Sequence, residues 1–341
     1  MTQTSKVRNI LIGFVLCLAA IQCVRSIYGY SVSFMDWHAY ALGQAPMPYQ
    51  GRVAMVPYVR WAENSALMHR LSDRYQTISQ VGNKMPEPMT VEKFASLLAS
   101  LVSLLIMVAA AGWYSVRSRY RPWWLMPALV LIIVTLTLAV RTETNYWYIY
   151  DLPHAALFGL ASICILEGWW LPLLALFACD ALVRETSVYL IVLWIAVLLY
   201  TQGKKDPVKA RIWAALAALL MAVYWCALRV AVEHRFAHNE NDLGPRLSTN
   251  LHTLLMPHHW PQLFSAGGYL VIFVWLERRR LPFKQHVFLW AALLCVPITL
   301  YFGVWVETRI WLEWTLPLAL LAASEWSHYS STAALCKGNA L

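Results

Sequence analysis

The chain has 341 residues, of which 60% are hydrophobic and only 13% charged, with 18 Trp, 17 Tyr and a net charge of +9. A soluble domain carries about twice that share of charge, so the composition excludes an ordinary soluble protein and indicates an integral membrane protein. The positive excess sits in short loops between apolar stretches, with no Lys/Arg run interleaved with aromatics, which argues against nucleic acid as a partner.

Apolar stretches at about 9–27, 94–116, 123–140, 154–166, 169–183, 187–201, 211–232, 263–276, 286–305 and 311–325 predict an all-α polytopic bundle of about ten membrane segments, forming one domain over 1–341. The first stretch has the basic start of a signal peptide but no small-residue cleavage site, so it reads as a retained anchor. Residues 28–93 form the longest loop. It opens on Phe34-Met35-Asp36-Trp37-His38-Ala39-Tyr40, continues through Met47-Pro48-Tyr49-Gln50-Gly51-Arg52, and enters an interfacial helix expected over 53–71. Val56, Val59, Arg60 and Glu63 share one face of it. The polar stretch Ser72 to Pro88 is expected to be a lid or linker.

After the third segment, Arg141, Glu143 and Asp151 flank the aromatic run Asn145 to Tyr150. Glu167-Gly168-Trp169-Trp170 then splits a long apolar run in two. Segments 169–183 and 187–201 consequently form a hairpin, each arm rising only about 22 Å. Its turn, Arg184-Glu185-Thr186, is therefore placed below the membrane surface, where polar backbone is tolerated only beside protein or a water-filled cavity. A cavity is expected there. A second loop at 233–262 carries five histidines, Val306 to Glu313 forms a short charged connection, and 326–341 is expected to be a disordered cytoplasmic tail.

Orientation follows from the basic loops. Lys6 and Arg8, Arg117 to Arg121, Lys204 to Arg211, and Arg278 to Lys284 all fall on one side with ten segments, which makes that side cytoplasmic. Both termini are then cytoplasmic, and the acidic and arginine-bearing loops face outward, in a bacterial inner membrane by the absence of other targeting signals.

Charge at membrane depth is costly, so the outward groups are the site candidates. Asp36 lies in an aromatic setting suited to a general base, and equally to a helix cap. Arg184 and Glu185 carry the strongest signal, as a phosphate-binding pair or a structural ion pair. Arg52 and Arg60 suit lipid phosphate; Glu307 and Arg309 suit ligand contact, with Arg309–Glu313 also at salt-bridge spacing. His38, Arg141, Glu143 and Asp151 are secondary, Asp151 reading best as a helix cap. The seven Cys give no disulfide framework or CxxC spacing, and His234 with His238 lacks the context of a zinc site. No Walker A, GxSxG or GxGxxG pattern occurs, so nucleotide, serine-hydrolase and nicotinamide chemistry lack support.

Asp36 in FMDWHAY, Arg52 in PYQGRV, Arg184-Glu185 in VRETS and Glu307-Arg309 in VETRIWLEW, set in this membrane plan, resemble the GT-C superfamily of membrane glycosyltransferases. That resemblance implies a polyprenyl-phosphate-sugar donor, Asp36 as base, and Arg184 with Arg52 or Arg309 neutralising the leaving phosphate. Many members carry two adjacent acids in the first loop; here Trp37-His38 follows Asp36, and a divalent cation stays an open question, with no metal ligand assigned. A transporter or flippase of a lipid-linked or anionic solute, and a non-catalytic envelope assembly subunit, are the competing readings.

Overall fold

The computed structural model describes residues 3–79, 87–139, 145–201, 207–241, 244–304 and 307–338. It is all-α apart from one pair of three-residue strands, β1 (Ser31–Ser33) and β2 (Asn145–Trp147), which pair in parallel. The helices are α1 (Gln3–Gly29), α2 (Trp37–Leu42), α3 (Val56–Asn64), α4 (Ala66–Ser79), α5 (Val91–Arg117), α6 (Leu125–Val134), α7 (Asp151–Glu167), α8 (Trp170–Val183), α9 (Tyr189–Thr201), α10 (Pro207–Arg235), α11 (Leu247–Leu255), α12 (Trp260–Ser265), α13 (Leu270–Glu277), α14 (Phe283–Phe302) and α15 (Thr315–Gly338).

Among the described residues, four helical stretches are long and apolar enough to cross a membrane by length and composition: Lys6–Gly29, Val91–Arg117, Arg211–Arg235 and Phe283–Phe302. Leu125–Leu138, Trp170–Val183 and Glu185–Tyr200 are shorter apolar helices.

Local chemistry explains the breaks. The long run after Asp151 ends at Gly168, whose φ of 77° closes α7 in a Schellman motif, with Trp169 N–H on Cys164 O (2.8 Å) and Gly168 N–H on Ile165 O (3.2 Å). The hairpin expected from the sequence is present: α8, a 3-10 turn at Glu185–Val188, then α9. At 1.5 Å per residue its arms rise about 20 Å, short of a hydrocarbon core of roughly 30 Å.

Four expectations need correction. The helix expected over 53–71 is broken at Ser65, which has extended backbone between α3 and α4. The segment expected over 263–276 is interrupted where Gly267 and Gly268 adopt φ of 69° and 65°, so α12 and α13 are separate short helices. The stretch after Ser72 continues as helix to Ser79. The tail from 326 continues α15 to Gly338.

α7 is the centre of the bundle, packed against α5, α8, α9 and α15. Gly159 allows the closest approach: a Cβ there would meet the Leu316 Cβ at 2.6 Å. Cross-chain bonds place the ends. Trp123–Asn9 (3.2 Å), Arg117–Glu167 (3.2 Å) and Gln285–Tyr120 (2.9 Å) gather the basic stretches next to Arg8, at Arg117 to Arg121 and at Arg278 to Lys284 at one end. Tyr28–Ser100 (2.8 Å), Arg52–Glu185 (2.7 Å) and Asn250–Leu300 O (2.7 Å) gather the loops with the candidate residues at the other.

Candidate functional site

The hairpin tip borders a cavity of about 620 Å³ at the end opposite the basic loops. Its polar wall holds Arg52, Arg184, Arg229, Arg246 and Arg309 with Glu185, Glu233 and Glu307, a formal excess of two positive charges. Its apolar wall comes from α9, α10 and α14. Four of those lining residues, Cys226, Val230, Ile298 and Phe302, also lie exposed on the outer face of helices of membrane-spanning length, Val230 at 67% and Phe302 at 64%. The cavity thus opens sideways, between α10 and α14, rather than only at the end of the bundle.

The arginines are placed by three separated parts of the chain. Arg52 follows the 3-10 turn Tyr49–Gly51 and reaches Glu185 in bidentate fashion, Nη2 to Oε1 at 2.7 Å and Nε to Oε2 at 3.2 Å. This pins the first loop to the hairpin tip. Arg184, in extended conformation at the end of α8, and Arg309, in the 3-10 helix Thr308–Trp314, approach the same carboxylate oxygen of Asp151 at 3.7 and 3.6 Å. Arg309 also pairs with Glu307 at 2.5 Å and lies 3.7 Å over the Tyr148 ring. Arg52 lies 4.5 Å over Tyr150.

All of Arg52, Arg184, Arg309 and Asp151 are buried. Burial disfavours each charge, but Glu185 beside Arg52, and Asp151 with Glu307 beside Arg309, overcome that and hold both guanidiniums above the ordinary arginine range. Burial likewise holds the Tyr148 and Tyr150 phenols far above their usual range, so both stay neutral O–H groups. Among the described residues, Nε and Nη1 of Arg184 and of Arg309 have no hydrogen-bond acceptor, and all four atoms are closed off from solvent. Buried donors of this kind are rare; the two guanidiniums line the cavity and meet their shared Asp151 carboxylate only at long range, so positive charge exceeds its close partners there.

Behind this wall lies a second, fully buried polar group. His154, on the same helix as Asp151, faces Asp180 through Nδ1 (2.7 Å) and Glu313 through Nε2 (2.8 Å), and Thr186 Oγ1 donates to Glu313 Oε2 (2.6 Å). Glu313 therefore does not form the intrahelical pair with Arg309 expected from their spacing. The segment is a 3-10 helix with about three residues per turn, which takes i and i+4 off a common face.

Several sequence candidates lie elsewhere. Asp36 is exposed and caps α2, its Oδ1 accepting from His38 N (2.9 Å) and Ala39 N (3.0 Å); it does not line the cavity. The helix cap considered for it is present. His38 pairs at the surface with Glu63 (3.1 Å), and exposed Arg60 bonds the Ala41 carbonyl. Asp151 sits in the first turn of α7, as expected, but Tyr150 is its N-cap and its carboxylate serves the two arginines. Arg141 and Glu143 lie outside the described residues. Among the described residues, no group of three His, Cys, Asp or Glu is placed to hold a metal ion.

The sequence reading missed His154, Thr186, Arg246 and Glu233 as site residues. His154 had a signal: it stands one helical turn after Asp151 and so shares its face. Arg246 and Glu233 had none, because only the fold brings the second loop to the cavity. No family model, curated protein or solved structure matches the chain.

Proposed function

We propose that this chain is a membrane glycosyltransferase of GT-C type that takes its sugar from a polyprenyl-phosphate donor. The observation that carries this reading is the convergence of buried Arg184 and Arg309 on one carboxylate, Asp151, at one wall of a cavity whose other wall includes exposed apolar residues of α10 and α14, helices of membrane-spanning length. Guanidinium forks match phosphate oxygens, and an isoprenoid chain reaches the cavity from the bilayer without crossing water. Preformed cations stabilise charge as it develops on the departing phosphate. In this reading the chain forms about ten membrane segments, including the half-depth hairpin, in a bacterial inner membrane. The basic loops face the cytoplasm and the cavity faces the periplasm. In this reading the sugar goes to an envelope or lipid-linked acceptor on the outer face of the membrane.

The test is binding of farnesyl phosphate and of farnesol to the purified protein in mild detergent. Farnesyl phosphate is expected to bind and farnesol to bind far more weakly, with Arg184→Gln reducing phosphate affinity by about 10- to 100-fold, as loss of a charged hydrogen bond does. Equal binding of the alcohol and the phosphate would remove the phosphate site and, with it, this function.

A further inference from the structure

An inverting sugar transfer needs a base beside the acceptor hydroxyl, and Asp36 does not line the cavity. Among the described residues, the lining carboxylates are Glu185, Glu233 and Glu307. Glu185 and Glu307 are each paired with an arginine, at 2.7 and 2.5 Å, and Glu233 stands on the exposed end of α10.

Thr186 is different. It lines the cavity, and its hydroxyl touches two of the three members of the buried group behind it: Glu313 Oε2 at 2.6 Å and His154 Nε2 at 3.0 Å. Neither Glu313, His154 nor Asp180 lines the cavity, so Thr186 is where this group meets it. The two ring nitrogens of His154 each face a carboxylate oxygen, so the imidazole lies between Asp180 and Glu313. Two of the group's carboxylate oxygens, Glu313 Oε1 and Asp180 Oδ2, are buried without a hydrogen-bond donor. A purely structural network would be expected to satisfy them.

The geometry points to Thr186 as a catalytic proton relay for sugar transfer, handing the acceptor's proton to Glu313, with His154 and Asp180 as positioning residues. This rests on the glycosyltransferase reading above. As the acceptor oxygen bonds to the anomeric carbon, its proton passes to Thr186 Oγ1 and the Thr186 proton moves to Glu313 Oε2. The bond from the anomeric carbon to the phosphate oxygen breaks, and its electron pair leaves on the phosphate beside the arginines. The stored proton later returns through the same hydroxyl to water. The placement is economical in the chain: Asp180 precedes Arg184 by four residues and Glu313 follows Arg309 by four, so the two segments that supply the phosphate arginines also supply the carboxylates of the relay.

The experiment measures release of farnesyl phosphate from farnesyl-phosphoryl glucose, mannose and arabinose by the wild-type protein, Thr186→Val and Thr186→Ser, with farnesyl phosphate binding as the check on folding. Thr186→Val keeps the shape and removes the hydroxyl. It is expected to lower kcat by about 100-fold or more with KM for the donor and farnesyl phosphate binding little changed, while Thr186→Ser restores most of the rate. A Thr186→Val rate within about threefold of wild type overturns the relay and leaves the transferase reading standing. Wild-type protein that binds farnesyl phosphate but releases none from any of the three donors overturns the transferase reading and the relay together.

Discussion

The two ends of the bundle use the same residue types to opposite effect. At the basic end, Arg117 pairs with Glu167 at 3.2 Å with 49% of its side chain exposed, and Arg280 pairs with Glu277 at 2.9 Å with 54% exposed. At the cavity end, Arg184 and Arg309 are 4% and 6% exposed and share Asp151 at a longer distance. Exposed pairs of this kind contribute about 0–1 kcal/mol, whereas a buried charge deprived of its partner costs several. Burial, not length, is what separates the pairs at the two ends.

The largest expected effect that tests this contrast is at Asp151. Asp151→Asn leaves two buried guanidiniums facing each other without their common carboxylate, and is expected to cost about 3–5 kcal/mol in detergent-phase unfolding. Adding Arg309→Gln to that variant should recover part of the loss; full stability of the single variant would show that water already screens the site. Next comes Asp36→Ala, expected to cost about 1 kcal/mol through the lost cap of α2, with farnesyl phosphate binding unchanged. Abolished sugar release with intact folding in this variant would return the base to Asp36. The smallest effect belongs to Arg117→Gln, about 0.5 kcal/mol or less by the same melt, and a larger loss there would erase the distinction between the ends.

How far the sequence could be read depended on the range of the physics involved. The hairpin and the cavity at its tip were legible because a residue count fixes how far two short apolar helices rise, which put Arg184-Glu185-Thr186 at the turn between them. Gly168 announced the break because αL backbone favours glycine. Arg184 and Arg309 were recognisable as cations near one side, yet nothing local said that Asp151 lies between them, since the three residues come from α7, the end of α8 and a 3-10 segment. Asp151 was read as a helix cap, and Glu313 as an i, i+4 partner or a ligand contact, because local rules were the only ones available. Tertiary pairing took both carboxylates elsewhere. Asp36 went the other way: an aromatic neighbourhood suggested desolvation, while two backbone N–H groups and solvent claimed its carboxylate.

The most direct test of the central claim, that the cavity holds an isoprenoid phosphate, is native mass spectrometry of the protein purified in mild detergent from the membrane in which it is expressed. The account predicts a retained polyprenyl phosphate or its glycoside in the unmodified protein, lost in Arg184→Gln. Ordinary phospholipids alone, the same in both samples, would contradict it.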